Sequence, residues 1–144
     1  MKLVIDASVF LAFAIPEEKE HAVAAEFFAH CETESHQLIF PALAIAEVAA
    51  GVARRKRDPQ KAALAVQRMQ RLASVRFAPL SRQEAEAAAK LAALYFLRGA
   101  DAVYCQLARE SKAPLITLDL EILDRIAGHI VARSPQNWLD SRNA

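Results

Sequence analysis

Four carboxylates stand where a carboxylate needs a reason. Asp6 ends the apolar run Leu3-Val4-Ile5, and Ser8 follows two residues later. Asp119 directly follows a second apolar run, Leu115-Ile116-Thr117-Leu118. Glu47 is the one charge in "PALAIAEVAAGV", and Asp101 lies in "LRGADAVYCQLA", just after Gly99. Each has a plain structural alternative. Aspartate is a favoured helix N-cap, so Asp6 and Asp119 could each simply open a helix. Asp101 could be a charge favoured by a helix N-terminus. Glu47 could face a narrow solvent stripe. Yet its run offers no other charge to make such a stripe, and burying an unpaired carboxylate costs several kcal/mol after relaxation.

Taken together, the four suggest a chemistry that none carries alone. An oxygen-rich donor set without thiolate suits hard cations, Mg²⁺ first and Mn²⁺ as the alternative. Mg²⁺ keeps several waters and takes few protein carboxylates, which leaves room for phosphate oxygens. Such ions activate water and neutralise charge on a phosphodiester undergoing in-line displacement. Metal-assisted phosphodiester hydrolysis is the chemistry this set fits. Clustered carboxylates also raise one another's pKa when no cation is present.

The elements that must position these acids alternate between strand and helix. The pattern predicts a buried strand over 2–5, a helix over 7–14 ending near Pro16, and a helix over 21–31. A short strand over 37–40 ends at Pro41, and an alanine-rich helix follows over 42–57. Asp58-Pro59 supplies an N-cap and a first-position proline for a helix reaching about Leu72. A strand follows over 75–78. Ser81-Arg82-Gln83-Glu84 is a capping box, and the helix it opens is expected to end near Gly99. A helix over 100–111, a strand over 115–118, a short helix over 120–126 and an edge strand over 129–132 complete the pattern, leaving a tail, "SPQNWLD", without periodicity. Strands alternating with helices imply a parallel sheet covered on both faces, an α/β fold. Ligands in such sheets bind beyond the carboxyl ends of the strands, where Asp6 and Asp119 stand. The two converge if their strands are neighbours.

Composition narrows the function classes. The 144 residues, 54% hydrophobic, suit one domain, residues 1–144, with a real core. A net charge of +1 gives no global pull toward nucleic acid or membrane, so any basic surface must be local. The N-terminal apolar run is too short for a signal peptide or a membrane span, which implies a soluble, cytoplasmic protein. Cys31 and Cys105 form no CxxC pair and suit core positions. His21, His30, His36 and His129 show no metal-ligand spacing, and the three glycines form no phosphate loop.

The stretches "VIDASVFLAF", "PALAIAEVAAGV" and "GADAVYCQLARESKAPLITLDLEIL" together resemble the PIN-domain family, in order, from residue 2 to about 140. The likeness is strongest to the ribonuclease toxins of VapBC toxin–antitoxin modules. It implies a three-layer α/β sandwich and an RNA-cleaving activity that uses Mg²⁺ or Mn²⁺. It also implies Asp6, Glu47, Asp101 and Asp119 as metal-binding, catalytic acids. Ser8 and Thr117 would orient carboxylates or water. An antitoxin protein and a second copy of the chain are the implied partners. Tyr104 and Cys105 depart from the pattern, since smaller or aliphatic residues are common there, and Glu121 and Asp124 are further acids close to Asp119. The family also includes RNA-processing factors, and DNA is the alternative substrate.

Two surface expectations follow. The run Arg54, Arg55, Lys56 and Arg57, extended by Arg68 and Arg71, is either a solvated helix end or an RNA phosphate contact. Val9, Phe10, Phe13, Val23, Phe27 and Phe28 are more apolar residues than a small domain needs to cover its sheet, which predicts an exposed patch and a homodimer. Rival classes fit less well. A signalling receiver needs an aspartate after a central strand and a late lysine, which "RFAPLS" and "HIVARSP" lack, and a dehalogenase-like phosphatase needs D-x-D where Ser8 stands. A non-catalytic metal- or nucleic-acid-binding module differs from the enzyme only in turnover.

Overall fold

A computed structural model describes residues 1–144. The strands β1 (Lys2–Ile5), β2 (Gln37–Pro41), β3 (Val75–Ala78), β4 (Leu115–Ile116) and β5 (Ala132–Arg133) form one sheet in the order β3-β2-β1-β4-β5. All four pairings are parallel. The helices are α1 (Ala7–Ala14), α2 (His21–Thr33), α3 (Leu43–Lys56), α4 (Pro59–Gln70), α5 (Arg82–Tyr95), α6 (Gly99–Ser111), α7 (Leu120–Arg125) and α8 (Pro135–Asn143). Parallel crossovers are right-handed. The chain steps one way from β1 to β3 and the other way from β3 through β4 to β5. The α1–α4 group therefore covers one face and the α5–α6 pair the other. Covered on both sides, Leu3, Val4 and Ile5 are fully buried, which explains their unbroken apolar run.

The order of the strands settles the convergence of the acids. β4 lies directly beside β1, with Val4 opposite Leu115 and Ile5 opposite Ile116. The strand order reverses between these two, the point at which open parallel sheets form their crevice.

Local chemistry places the ends of the helices. Asp58 caps α4 by accepting from the backbone N–H of Gln60 (2.9 Å) and Lys61 (3.2 Å), with Pro59 in the first turn. Glu84 accepts from the Ser81 N–H at 3.1 Å, completing the predicted capping box. Cys31 and Cys105 are buried, and burial pushes both thiols up to about 12, so they act as small apolar residues.

Four expectations need correction. Gly99 does not end α5; Phe96 does, in the left-handed region (φ 56°), and Gly99 opens α6. β4 is two residues shorter than predicted, because Thr117 and Leu118 turn their polar groups to the site described below. The edge strand lies at Ala132–Arg133 rather than over 129–132, after a turn at Gly128 (φ 81°). The tail is helix α8: Ser134 accepts from the Asn137 N–H at 3.1 Å, Pro135 is in the first turn, and Trp138 and Leu139 bury against the core.

The apolar residues of α1 and α2 are core, not an exposed patch. Val9, Phe10, Phe27 and Phe28 are buried, while Phe13 and Val23 pack partly buried against them. Phe10, Phe13, Phe27 and Phe28 meet ring to ring at 4.8–6.0 Å. Each fully buried phenyl ring contributes about 1.5–3 kcal/mol to folding. These residues consequently give no argument for a dimer.

Candidate active site

At the carboxyl ends of β1 and β4, one cleft is lined by Asp6, Ser8, Glu47, Gly51, Arg54, Arg98, Asp101 and Asp119. All four sequence-predicted acids meet there. A roomier depression elsewhere is lined by Lys2, Arg76, Glu84, Glu110 and Lys112 among others. Its charges are mixed, and it contains none of the four.

Asp6 occupies the N-cap position of α1, yet its side chain makes no capping bond. Its backbone N–H donates to Ile116 of the neighbouring strand at 2.9 Å. Both side-chain hydrogen bonds fall on Oδ2: Ser8 Oγ donates at 2.6 Å and Thr117 Oγ1 at 2.8 Å. Oδ1 accepts no protein hydrogen bond. Ser8 Oγ accepts in turn from the Leu118 N–H (3.1 Å) and Thr117 Oγ1 from the Asp119 N–H (3.0 Å). The two hydroxyls thereby tie the ends of β1 and β4 together and fix the carboxylate. Asp6 is 6% exposed. Burial pushes its pKa up to about 6, against the lowering effect of the two hydroxyls, and the charges of Glu47 and Asp101 add smaller upward pushes. Mutual repulsion, expected to raise these acids, is thus secondary to desolvation.

Glu47 is half-buried on α3. Tyr104 Oη donates to its Oε1 at 2.6 Å, and the same hydroxyl accepts from the Ala7 N–H, the first of α1, at 3.3 Å. Oε2 makes no protein hydrogen bond. Burial raises the Glu47 pKa, the Tyr104 hydrogen bond lowers it, and the Asp101 charge raises it. Tyr104 is fully buried and lies three residues beyond Asp101 on α6, so one side chain couples α1, α3 and α6. The departure noted in "DAVYC" is therefore a structural support of the site. Burial, with the charges of Asp6 and Glu47, raises the tyrosine's pKa and keeps it a hydrogen-bond donor.

Asp101 lies in the first turn of α6, where the helix dipole favours negative charge. Burial raises its pKa, and Arg98 opposes this through a hydrogen bond and its charge. Arg98 Nε donates to Asp101 Oδ2 at 3.0 Å, and its Nη2 donates to Asp119 Oδ2 at 2.9 Å. Asp119 is a true cap: Oδ1 accepts from the N–H groups of Glu121 (2.9 Å) and Ile122 (3.3 Å). Sequence reasoning passed over Arg98. Its one signal was a cation three residues before an acid at a predicted helix start.

The basic run divides. Arg54 lines the cleft. Arg55 pairs with Glu18, and Lys56 with Glu17 (2.6 Å), which fastens the end of α3 to the loop after α1. Arg57 is exposed and adopts the left-handed region (φ 52°) that ends α3. Arg68 stacks over the Phe13 ring, 4.1 Å from its centre. Glu121 pairs with Arg125 at 2.9 Å and approaches Arg98 at 3.9 Å; Asp124 makes no side-chain hydrogen bond or ion pair.

The donor chemistry fits a hard divalent cation. Asp6, Glu47 and Asp101 each keep one carboxylate oxygen free of protein partners, and every group on the cleft's acidic side is an oxygen. As arranged, no three acids are spaced to share one ion directly. Mg²⁺ needs only one or two carboxylates when water and phosphate complete its shell, so that spacing suits it.

A family model described as "PIN domain" matches residues 3–129. PAE2754 from Pyrobaculum aerophilum shares the fold with a TM-score of 0.69 at 22% identity, covering 98% of this chain and 94% of that one. The Mycobacterium tuberculosis toxin VapC20, described as cleaving the sarcin-ricin loop, superposes with a TM-score of 0.71 at 18% identity, over 90% of this chain and 96% of its own. The FitAcB structure from Neisseria gonorrhoeae gives 0.68 at 18% identity, with coverage of 93% and 98%. Comparison with curated protein sequences finds no significant match. With the model spanning most of the chain and its acids gathered in one cleft, this protein belongs to the PIN-domain family of nucleases.

Proposed function

We propose that the protein is a metal-dependent endoribonuclease that hydrolyses RNA phosphodiester bonds, and that it is the toxin of a type II toxin–antitoxin module. The observation that carries the catalytic part is the buried Asp6 carboxylate. It is held by Ser8 and Thr117 on one oxygen, left open on the other, and shares a cleft with Glu47 and Asp101. A carboxylate desolvated this far, placed where open parallel sheets bind ligands, is a functional-site signature.

One or two of Asp6, Glu47 and Asp101 would hold Mg²⁺ or Mn²⁺ through an open oxygen, and the remaining acids, with Asp119 as the fourth, would act on it through its water shell. When bound, such an ion would neutralise charge building on the phosphodiester and lower the pKa of water, favouring its loss of a proton to give the attacking hydroxide. The chain's own residues do the positioning. Ser8 and Thr117 fix the Asp6 carboxylate plane, Tyr104 fixes Glu47, and the first turn of α6 presents Asp101. Arg54, exposed at the rim, suits an RNA phosphate.

The toxin part is supported by the company of the fold. The Rickettsia felis VapBC2 structure is described as bound to a DNA fragment from its promoter, and a Klebsiella pneumoniae structure as a toxin–antitoxin complex. An antitoxin partner, a homodimer and a cytoplasmic location belong to this reading. No helix is long and apolar enough to cross a membrane. The decisive experiment offers labelled RNA and labelled DNA of one sequence to the purified protein, with Mg²⁺, with Mn²⁺ and with EDTA. Cleavage of RNA that EDTA stops and Asp6→Asn abolishes is the expected result. Metal-independent cleavage, or equal cleavage of DNA, contradicts it.

A further inference from the structure

We propose that Arg98 is a built-in counter-cation that competes with the divalent ion for Asp101 and Asp119, and so sets the affinity of the site for metal. This rests on the divalent-ion reading above and adds to it. One guanidinium bridges the two acids, at 3.0 Å to Asp101 Oδ2 and 2.9 Å to Asp119 Oδ2. The acids are the fixed side of this arrangement. Their side chains are 15% and 22% exposed, while that of Arg98 is 67% exposed. Asp119 is pinned further by its cap on α7, and Asp101 by its place in the first turn of α6. Arg98 itself sits in extended backbone just before α6, two residues after the left-handed Phe96, with its side chain laid over the acids from outside.

The bridge occupies the Oδ2 atoms of Asp101 and Asp119. Without it, two partly buried carboxylates would face each other with no compensating charge. Asp101 keeps Oδ1 open, but Asp119 does not have an open oxygen, since Oδ1 caps α7 and Oδ2 is held by Arg98, so a divalent ion that draws on both acids must displace the guanidinium from Asp119. Displacement is affordable: arginine pairs this exposed are individually weak and readily exchanged. Deprotonation offers no alternative exit, since an arginine stays charged at every accessible pH. Arg54 supplies the internal comparison. It lines the same cleft as a cation but makes no ion pair with any of the four acids.

The test measures Mn²⁺ binding to the full chain by titration calorimetry, together with melting of the metal-free and Mn²⁺-saturated protein. It compares wild type, Arg98→Gln, Arg98→Lys and Arg54→Gln. Arg98→Gln is expected to bind Mn²⁺ about three- to tenfold more tightly, the scale of one or two partly exposed ion pairs. Its metal-free melting temperature falls and its Mn²⁺-induced rise grows. Arg98→Lys falls between, because an ammonium cannot span both acids with a planar fork. Arg54→Gln changes affinity by less than about twofold. Unchanged or weaker Mn²⁺ binding by Arg98→Gln overturns the proposal and leaves the metal reading intact. Equal tightening by Arg98→Gln and Arg54→Gln also overturns it, by assigning the effect to general charge. If wild type and Arg98→Gln both fail to bind Mn²⁺, the metal reading itself falls and the competition with it. Should Arg98→Gln not fold, Arg98→Lys against wild type decides the same question.

Discussion

Asp6 and Asp119 hold the same local position, the N-cap of a helix that follows one of two adjacent parallel strands, and only Asp119 caps. Asp119 gives Oδ1 to the first N–H groups of α7, whereas Asp6 gives Oδ2 to Ser8 and Thr117 and nothing to α1. The first N–H of α1 is satisfied instead by Tyr104. Two residues with one sequence signature therefore have separable roles. Asp119→Ala should lower stability by about 0.5–2 kcal/mol, with Asp119→Asn recovering most of it, since Asn caps about as well as Asp. Asp6→Asn should leave the metal-free protein as stable as wild type or more so, while abolishing cleavage. Urea unfolding and RNA cleavage on the three variants measure both. An Asp6→Asn protein that cleaves with unchanged metal dependence removes Asp6 from the site.

Burial of Asp6 has a consequence for pH. Its folded pKa, about 6, lies above the ordinary carboxylate value of 3.8. A raised folded pKa on an acid opposes folding above the unfolded pKa, and the penalty disappears as pH falls from about 6 to about 4. Glu47 and Asp101 are shifted in the same direction. The metal-free protein should thus gain stability between pH 7 and pH 4–5, by up to about 3 kcal/mol from Asp6. Asp6→Asn should lack most of that gain. Saturating Mg²⁺ should cancel it too, because a bound cation favours the ionised carboxylates and raises the melting temperature at neutral pH. Melting curves from pH 4 to 8, with and without Mg²⁺, test this; a metal-free protein that only loses stability on acidification contradicts it.

Much of this was legible in sequence because it is local. A buried parallel strand writes an unbroken apolar run, so the positions of Asp6 and Asp119 after two such runs were visible. That β1 and β4 are neighbours was not, because strand order is a long-range property. Helix α8 had a start signal in Ser134-Pro135 but no period, since only Pro135, Trp138 and Leu139 of its nine residues are buried. The role of Arg98 depends on Asp119, 21 residues away, and that of Tyr104 on Glu47, 57 residues away. The apolar excess of α1 and α2 misled for a related reason: their phenyl rings pack against one another, which a linear count of hydrophobic residues does not reveal.

The divided basic run makes a prediction about salt. Counterion release makes log affinity fall with log salt in proportion to the phosphates contacted. Arg54, on the cleft, should account for the slope: Arg54→Ala should make it shallower by about one unit. Arg55→Ala and Lys56→Ala should change it less, because those side chains are engaged with Glu18 and Glu17, and should instead loosen the junction of α1 and α3. Binding of a short RNA to a cleavage-dead Asp6→Asn background, across several salt concentrations, measures the slopes. Equal effects of the three substitutions would restore a continuous basic patch.

The cleft also depends on how closely α1 and α3 approach. Gly51 lies one turn beyond Glu47 on α3, and a Cβ there would stand 2.7 Å from both δ carbons of Leu11 on α1. Two effects of Gly51→Ala oppose each other. Alanine is favoured over glycine inside a helix by about 1 kcal/mol. Overpacking a close contact costs about 1–3 kcal/mol when the neighbour cannot yield. Leu11 is partly buried and lines the cleft itself, so moving it disturbs the wall between Asp6 and Glu47. The obstructing atoms are the methyl ends of a flexible side chain that can rotate aside, so in the wild type the two effects should nearly cancel, leaving stability close to unchanged while cleavage falls. In a Leu11→Ala background, with the obstruction gone, the same change should stabilise by about 1 kcal/mol. Urea unfolding of the four proteins in this double-mutant cycle gives the coupling directly. If Gly51→Ala stabilises both backgrounds equally, the two helices do not meet closely at this point, and the spacing of Asp6 and Glu47 must be set by the Tyr104 hydroxyl alone.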